Sequence, residues 1–167
     1  MTILRMCDAL VAVWPDVVAK LVWKNYARDA WKIRYELLAE QSIAVLKAHG
    51  VARAAGICYA GQPGIAPFLN DFVAQLASRS CGCTVPNGTR NAGCRDAARE
   101  TARALDELGF AGLNIHCHLL KIAPDAEALA PIFEALAERG KVLNLHSCAF
   151  ARNTGPLDET RPRRNGQ

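Results

Sequence analysis

The same short pattern, leucine, asparagine, an aliphatic residue and histidine, occurs twice in this chain of 167 residues. It occurs first in GLNIHCHL, residues 112–119, and again in KVLNLH, residues 141–146, with the matching histidines thirty residues apart. The intervening segment has the apolar spacing of a helix and ends at Gly140. Strand–helix units of this length require a parallel sheet with right-handed crossovers. The repeat therefore predicts two equivalent, neighbouring strands.

Further units extend this pattern towards the N-terminus. Strand-like segments begin near residues 54 and 82, and the two strands of the repeat begin near 112 and 142, so the starts are 28 to 30 residues apart. Amphipathic helical segments lie between them. The predicted fold class is α/β, built from about four to five parallel strand–helix units.

Alternation along the two repeated strands separates an apolar face from a polar face. A parallel sheet covered by helices on both sides is apolar throughout. A polar face near the carboxyl ends of the strands is instead typical of a barrel interior, where active sites lie. The predicted polar face comprises Asn114, His116, His118, Asn144 and His146.

The composition argues against several functional classes. With 51% hydrophobic and 22% charged residues the chain is of the globular class, and its net charge of +4 is mild. No basic segment is interleaved with aromatic residues, so nucleic-acid binding is not expected. No apolar run is long enough for a membrane span, and the N-terminus makes a poor export signal. Seven cysteines, an odd number, are then most simply reduced thiols of a cytoplasmic protein.

Three of the cysteines allow two interpretations. Cys81 and Cys83 would share a strand face, and together with Cys94 they suggest a thiolate metal site. The C-x-C spacing matches no strong zinc signature, however, so buried strand cysteines are the preferred interpretation.

The two ends of the chain differ from the middle. Residues 1–35 contain all three tryptophans and are predicted to form a helical lead-in. Residues 36–150 form the predicted barrel-like domain. Residues 151–167 are rich in proline, glycine and arginine, with few apolar side chains, and are predicted to be a flexible tail.

Residues 31–148, and the section from GLNIHCH to VLNLH above all, resemble the amidohydrolase-related family of metal-dependent (β/α)8 barrels. That family includes aminocarboxymuconate-semialdehyde decarboxylase and related decarboxylases and hydrolases. The resemblance implies a partial (β/α)8 (TIM-like) barrel and metal-dependent hydrolysis or decarboxylation of a small carboxylated, cyclic compound. A small-molecule substrate is thus the expected partner.

The resemblance also implies roles for the histidines. The family holds a divalent metal, usually zinc, with His-x-His on the first strand, a histidine on the fifth and an aspartate on the eighth. His146 matches the fifth-strand metal ligand. His116 and His118 fall where the family places groups that contact the substrate or lie near the metal, and they are the predicted catalytic residues. Asn114 stands where two-metal relatives carry a carboxylated lysine, which favours a single metal.

The chain departs from the family pattern in two places. No histidine precedes His49, so the first-strand His-x-His is absent, and no segment corresponds to strands six to eight. A catalytic zinc site takes three protein ligands and a water. Three hypotheses follow: an enzyme whose missing ligands come from a second chain, a truncated non-catalytic fragment of such an enzyme, or an open α/β sheet that binds a small ligand. A half-barrel would also expose sheet edges through which it can form a homo-oligomer.

Overall fold

The computed structural model describes residues 6–29, 32–91, 94 and 96–146, and its centre is one parallel sheet. Five strands pair in the order in which they occur in the chain, each parallel to the next. Their starts agree with the predicted repeat to within three residues for the four strands that were foreseen. The strands are β1 (Met6–Ala12), β2 (Val51–Ile57), β3 (Thr84–Thr89), β4 (Gly112–His116) and β5 (Val142–His146).

Helices connect the strands, as the apolar periodicity predicted. In α3 (Ala66–Arg79) the residues Leu69, Val73 and Leu76 are buried at helical spacing, and a proline in the first turn fits the helix start. The segment after β3 forms a short helix that continues as a π-helical turn, Arg103–Glu107, and a 3-10 turn, Glu127–Leu129, precedes the last helix. The other helices are α1 (Asp16–Asp29), α2 (Ala39–Ala48), α4 (Ala97–Ala102), α5 (Cys117–Leu120) and α6 (Ala130–Glu138).

The strand order establishes the architecture as a partial barrel. A doubly wound sheet reverses its strand order at a switch point, whereas this order runs from β1 to β5 without reversal. The sheet curls so far that the Asn144 side chain of β5 donates a hydrogen bond to the Ala9 carbonyl of β1 at 3.1 Å. The predicted partial (β/α)8 barrel is therefore confirmed, and the alternative of an open doubly wound sheet is not supported.

The hydrophobic core lies between the sheet and the helices. Leu113 and Ile115 of β4 point into it and are at most 1% exposed. Phe110, before β4, and Ile132 of α6 are fully buried in the same cluster. Burial of these side chains stabilises the packing between the helices and the outer face of the sheet. The inner face of the strands can therefore hold polar groups.

The N-terminal segment contains an element that the sequence did not predict. Helix α1 supplies the helical part expected in residues 1–35, but β1 precedes it and pairs with β2. The β1 sequence, MCDALVA, carries Asp8 in the middle, and its register shifts between Asp8 and Val11. The apolar residues of this short, interrupted segment have neither the spacing of a helix nor that of a strand. Pairing with β2 therefore determines its conformation.

The remaining boundaries stay predictions. The tail at residues 151–167 lies outside the described residues, as does the end of the predicted domain at residue 150. Among the helices that the structure describes, none combines the length and the apolar character that crossing a membrane requires.

Within the described part of the chain the sheet has two edges, β1 and β5, and we predict that the chain self-associates through them. Val142 of β5 is 62% exposed, and this strand carries no charged residue to discourage pairing. Light scattering is expected to give a mass above the 18.1 kDa of one chain. Replacing exposed Val142 by lysine, which adds a charge to the edge, should lower that mass, and a wild-type mass of one chain would contradict the prediction.

Candidate functional site

Two imidazole rings form the centre of the candidate site, at the carboxyl ends of β4 and β5. In the parallel register His116 lies beside His146, and Asn114 lies beside Asn144. The two rings stack, with centroids 4.1 Å apart and planes 17° apart. The predicted neighbouring positions of the two strand histidines are confirmed. The repeated pattern exists because equivalent positions of adjacent strands face the same interior.

The two asparagines of the pattern hold the inner face together. Asn114 is fully buried, and its side-chain amide donates to the Cys58 carbonyl at 3.0 Å, which links β4 to the end of β2. Its Oδ1 atom has no hydrogen-bond partner among the described residues. Asn144 makes the corresponding bond to the Ala9 carbonyl. These amides satisfy backbone groups on strands across the interior, so their role here is structural.

The third predicted histidine, His118, does not lie on the strand face, and that part of the prediction is wrong. Strand β4 ends at His116, and the next residues form the helical turn α5. The His116 side chain caps this turn, because its Nδ1 accepts a hydrogen bond from the Leu119 N–H at 3.4 Å. His118 is therefore exposed on the turn, with its ring centroid 6.3 Å from that of His116.

A tyrosine that the sequence interpretation missed completes the cluster. Tyr59 follows β2, and its hydroxyl lies 3.3 Å from Nδ1 of His146. Its ring makes an edge-on contact with His116, with centroids 4.8 Å apart, and it lies 5.9 Å from the ring of Trp14. One sequence feature could have predicted Tyr59 as a site residue: it is an aromatic residue close after a buried parallel strand, at the edge of the sheet where the carboxyl ends of neighbouring strands meet. We call Tyr59, His116 and His146 the inner cluster.

Burial determines the charge state of His116. His116 is 4% exposed, and its pKa is lowered to about 4, first by desolvation and then by the nearby His146 and His118. At neutral pH the His116 ring is uncharged, so it can accept one hydrogen bond and donate another. It accepts the bond from the Leu119 N–H through Nδ1, so in the neutral ring the other nitrogen carries the proton.

The described residues do not by themselves form a closed metal site. No group of three or more histidine, cysteine, aspartate or glutamate side chains is placed for a metal within the part of the chain that the structure describes. His146 and His116 are stacked nearly parallel, so lone pairs on the two rings run side by side and do not converge on one ion. The divalent metal that the family resemblance implies would need further ligands and a rotated imidazole ring, so the described residues do not fit it.

The alternative thiolate site is not formed either. Cys81 lies in an exposed turn with a φ of 52°, whereas Cys83 is buried just before β3. Cys94 is half-buried and accepts a hydrogen bond from the Gly64 N–H at 3.2 Å. The preferred interpretation, a buried cysteine, is correct for Cys83 and wrong for Cys81.

Solved structures with a similar fold include several decarboxylases. A 5-carboxyvanillate decarboxylase from Novosphingobium aromaticivorans, with bound manganese and 3-methoxy-4-hydroxy-5-nitrobenzoic acid, is 25% identical with a TM-score of 0.66. The match covers 85% of this chain and 50% of that one. The corresponding enzyme from Sphingomonas paucimobilis is 21% identical with a TM-score of 0.60, and the match covers 85% and 51% of the two chains.

A third similar structure is 2,6-dihydroxybenzoate decarboxylase from Rhizobium, which is 16% identical with a TM-score of 0.63. That match covers 93% of this chain and 52% of the other. The chain thus spans about half the length of these enzymes. No curated protein matches it.

The family profile agrees with these structures. The profile described as amidohydrolase matches residues 71–162, which is more than half of the chain and includes β4, β5 and both histidines of the stacked pair. The fold, the strand register and this match lead to the same conclusion: the chain belongs to the amidohydrolase family.

Proposed function

We propose that this chain supplies half of the active site of a decarboxylase that acts on a small aromatic carboxylic acid. The observation that carries the proposal is the inner cluster, in which His116 and His146 stack beneath Tyr59 at the carboxyl ends of parallel strands. Barrel enzymes hold their reacting groups at this end. The similar solved structures include decarboxylases of 5-carboxyvanillate and 2,6-dihydroxybenzoate.

The proposed roles follow from position and burial. His146, at the end of β5, would be a ligand of the divalent metal, which we propose to be zinc although the Novosphingobium enzyme holds manganese. His116 is uncharged at neutral pH and, because Nδ1 accepts from the Leu119 N–H, would donate one hydrogen bond to the substrate through Nε2. Exposed His118, whose ring centroid lies 6.3 Å from that of His116, would carry the proton that replaces the carboxylate. We propose a cytoplasmic location, in keeping with reduced cysteines.

Binding of an aromatic acid tests the proposed function. 2,6-Dihydroxybenzoate, added without metal in isothermal titration, is expected to bind the wild-type chain. The variants His116→Ala and His146→Ala should weaken this binding about tenfold or more, because each removes a hydrogen bond or ligand to a charged group. His49→Ala is the matched control, since His49 ends α2 far along the chain from the site and should leave binding unchanged. Absence of binding to the wild-type chain would reject this function.

Metal binding gives a second prediction. We expect zinc or manganese alone to bind the chain weakly or not at all, because the described residues provide only stacked, non-convergent imidazoles. Isothermal titration checks this. One tight equimolar site that His146→Ala abolishes would contradict the prediction and would show that the chain holds a complete ligand set.

A non-catalytic role is the second candidate function. It is favoured by the same observation, that no three ligands converge among the described residues. In this case the chain would bind the aromatic acid without releasing carbon dioxide. Measuring carbon dioxide release from bound 2,6-dihydroxybenzoate in the presence of zinc separates the two candidates.

A further inference from the structure

Arg90 places a positive charge in the helical layer, outside the barrel interior. Thr89, the last residue of β3, faces the interior side of the sheet, where its hydroxyl accepts a hydrogen bond from the Ala60 N–H at 3.0 Å. The next residue points the opposite way. The Arg90 side chain accordingly reaches α4, where its Nη1 donates to the Thr101 hydroxyl at 3.3 Å. Arg90 is only 7% exposed.

This buried guanidinium lacks a counter-charge among the described residues. Its Nε atom has no hydrogen-bond partner there. Glu100 of the neighbouring helix α4 already has partners, because its carboxylate accepts hydrogen bonds from Asn70 at 2.6 Å and from Arg103 at 2.9 Å. Desolvation accordingly lowers the pKa of Arg90. Burying an unpaired charge is costly, so the arrangement requires an anion to offset that cost.

A pocket of about 140 Å³ lies against this guanidinium. It occupies the space between the first turn of α3 and α4, and its volume equals that of about four to five water molecules in the liquid. The first turn of the 14-residue α3 carries the positive end of the helix dipole. Arg103 is shared by Glu100 and Asp71, and Arg99 is paired to Asp96 at 3.5 Å, so Arg90 is the charged lining residue that has no ion pair among the described residues. Gly64, Pro67, Arg90, Cys94, Arg99 and Glu100 are among the lining residues.

We propose that this pocket binds a small oxyanion, a carboxylate or inorganic phosphate, through Arg90. A guanidinium binds the oxygens of such an anion through charge-assisted hydrogen bonds, and Arg90 lines the pocket. The bound anion would link β3, α3 and α4 from the outer side. The site is separate from the inner cluster, because Arg90 faces the helices and the histidines face the interior.

Alkylation of Cys94 tests the proposal, because this half-buried thiol lines the pocket. The wild-type chain is treated with iodoacetamide, an uncharged reagent, in acetate or in phosphate, with chloride at equal ionic strength as the reference. Peptide mass spectrometry measures the extent of alkylation of Cys94 and of the exposed Cys81 in the same sample. At about ten times the Kd of the anion, labelling of Cys94 should slow about tenfold, since about one site in eleven is then empty. Labelling of Cys81 should not change.

The separate acetate and phosphate samples identify which oxyanion is bound, and protection by either supports the site. Two variants link the protection to Arg90. Arg90→Gln should abolish it, and Arg90→Lys, which keeps the charge but loses the planar fork, should weaken it. If Arg90→Gln does not fold, Arg90→Lys decides. The exposed Arg79→Gln is the control for general anion effects and should keep full protection. Equal labelling of wild-type Cys94 in all three salts, or unchanged protection in Arg90→Lys, would overturn the proposal.

Discussion

Replacing Gly112 by alanine is expected to lower the free energy of unfolding by about 3 kcal/mol or more and to separate β5 from β4. A Cβ atom at this position would collide with the Val142 carbonyl oxygen of the neighbouring strand and lie 3.0 Å from the Asn87 side-chain oxygen. The main obstacle is backbone, which cannot rotate away as a side chain can. Urea unfolding followed by circular dichroism measures the loss.

Gly61→Ala is the matched control for this substitution. Gly61 lies in the loop next to the inner cluster, and a Cβ atom there would meet nothing within 4 Å. Its alanine variant should be about as stable as the wild-type chain. If both variants have the same stability, the close approach of β4 and β5 at Gly112 is not what sets the register of His116 and His146.

The same register was predictable from the sequence, because it depends on a repeated pattern. Leucine, asparagine and histidine recur at matching positions of two strand–helix units, and parallel strands of such units align with little offset. Burial then fixes the side-chain directions, since Leu113 and Ile115 must face the helices. Both the partial barrel and the neighbouring position of the two strand histidines follow from these facts.

Other parts of the site depend on contacts that no local pattern encodes. His118 has the spacing of a strand residue, but pairing between β4 and β5 stops at His116 and His146, and the chain turns into α5. Tyr59 belongs to a different unit and reaches His146 only because the sheet curls. Strand β1 forms because β2 offers it an open edge. Each of these features is decided by tertiary structure.

The partial barrel also explains why the described residues lack the full set of metal ligands that the family resemblance implies. In a full barrel the interior groups of opposite strands meet around one site. Here the sheet curls until Asn144 reaches Ala9, so the interior is filled by side-chain amides and by the inner cluster. A partner that completes the barrel would have to displace the Asn144–Ala9 bond before it could add ligands.

Acidification is expected to destabilise the chain through His116. Its pKa is about 4 in the folded chain, against an ordinary value of 6.5. Between these values the unfolded chain binds a proton that the folded chain does not, so the free energy of unfolding rises with pH in this window. Above pH 6.5 the His116 ring is uncharged in both states and does not lower the free energy of unfolding. As the pH falls to 4, the free energy of unfolding decreases by about 3 kcal/mol.

Urea unfolding at a series of pH values measures this loss, and His116→Gln isolates its origin. The variant keeps a side chain of similar size that cannot take up a proton, so its stability should fall by about 3 kcal/mol less than that of the wild-type chain over the same range. Carboxylates that are ion-paired in the folded state, such as Asp106 with Arg139, contribute equally to both chains and cancel in the difference. His49→Gln should retain the full wild-type loss, because His116 is unchanged in it. Parallel pH profiles for the wild-type chain and His116→Gln would show that burial of the His116 ring against His146 does not control the acid stability of this fold.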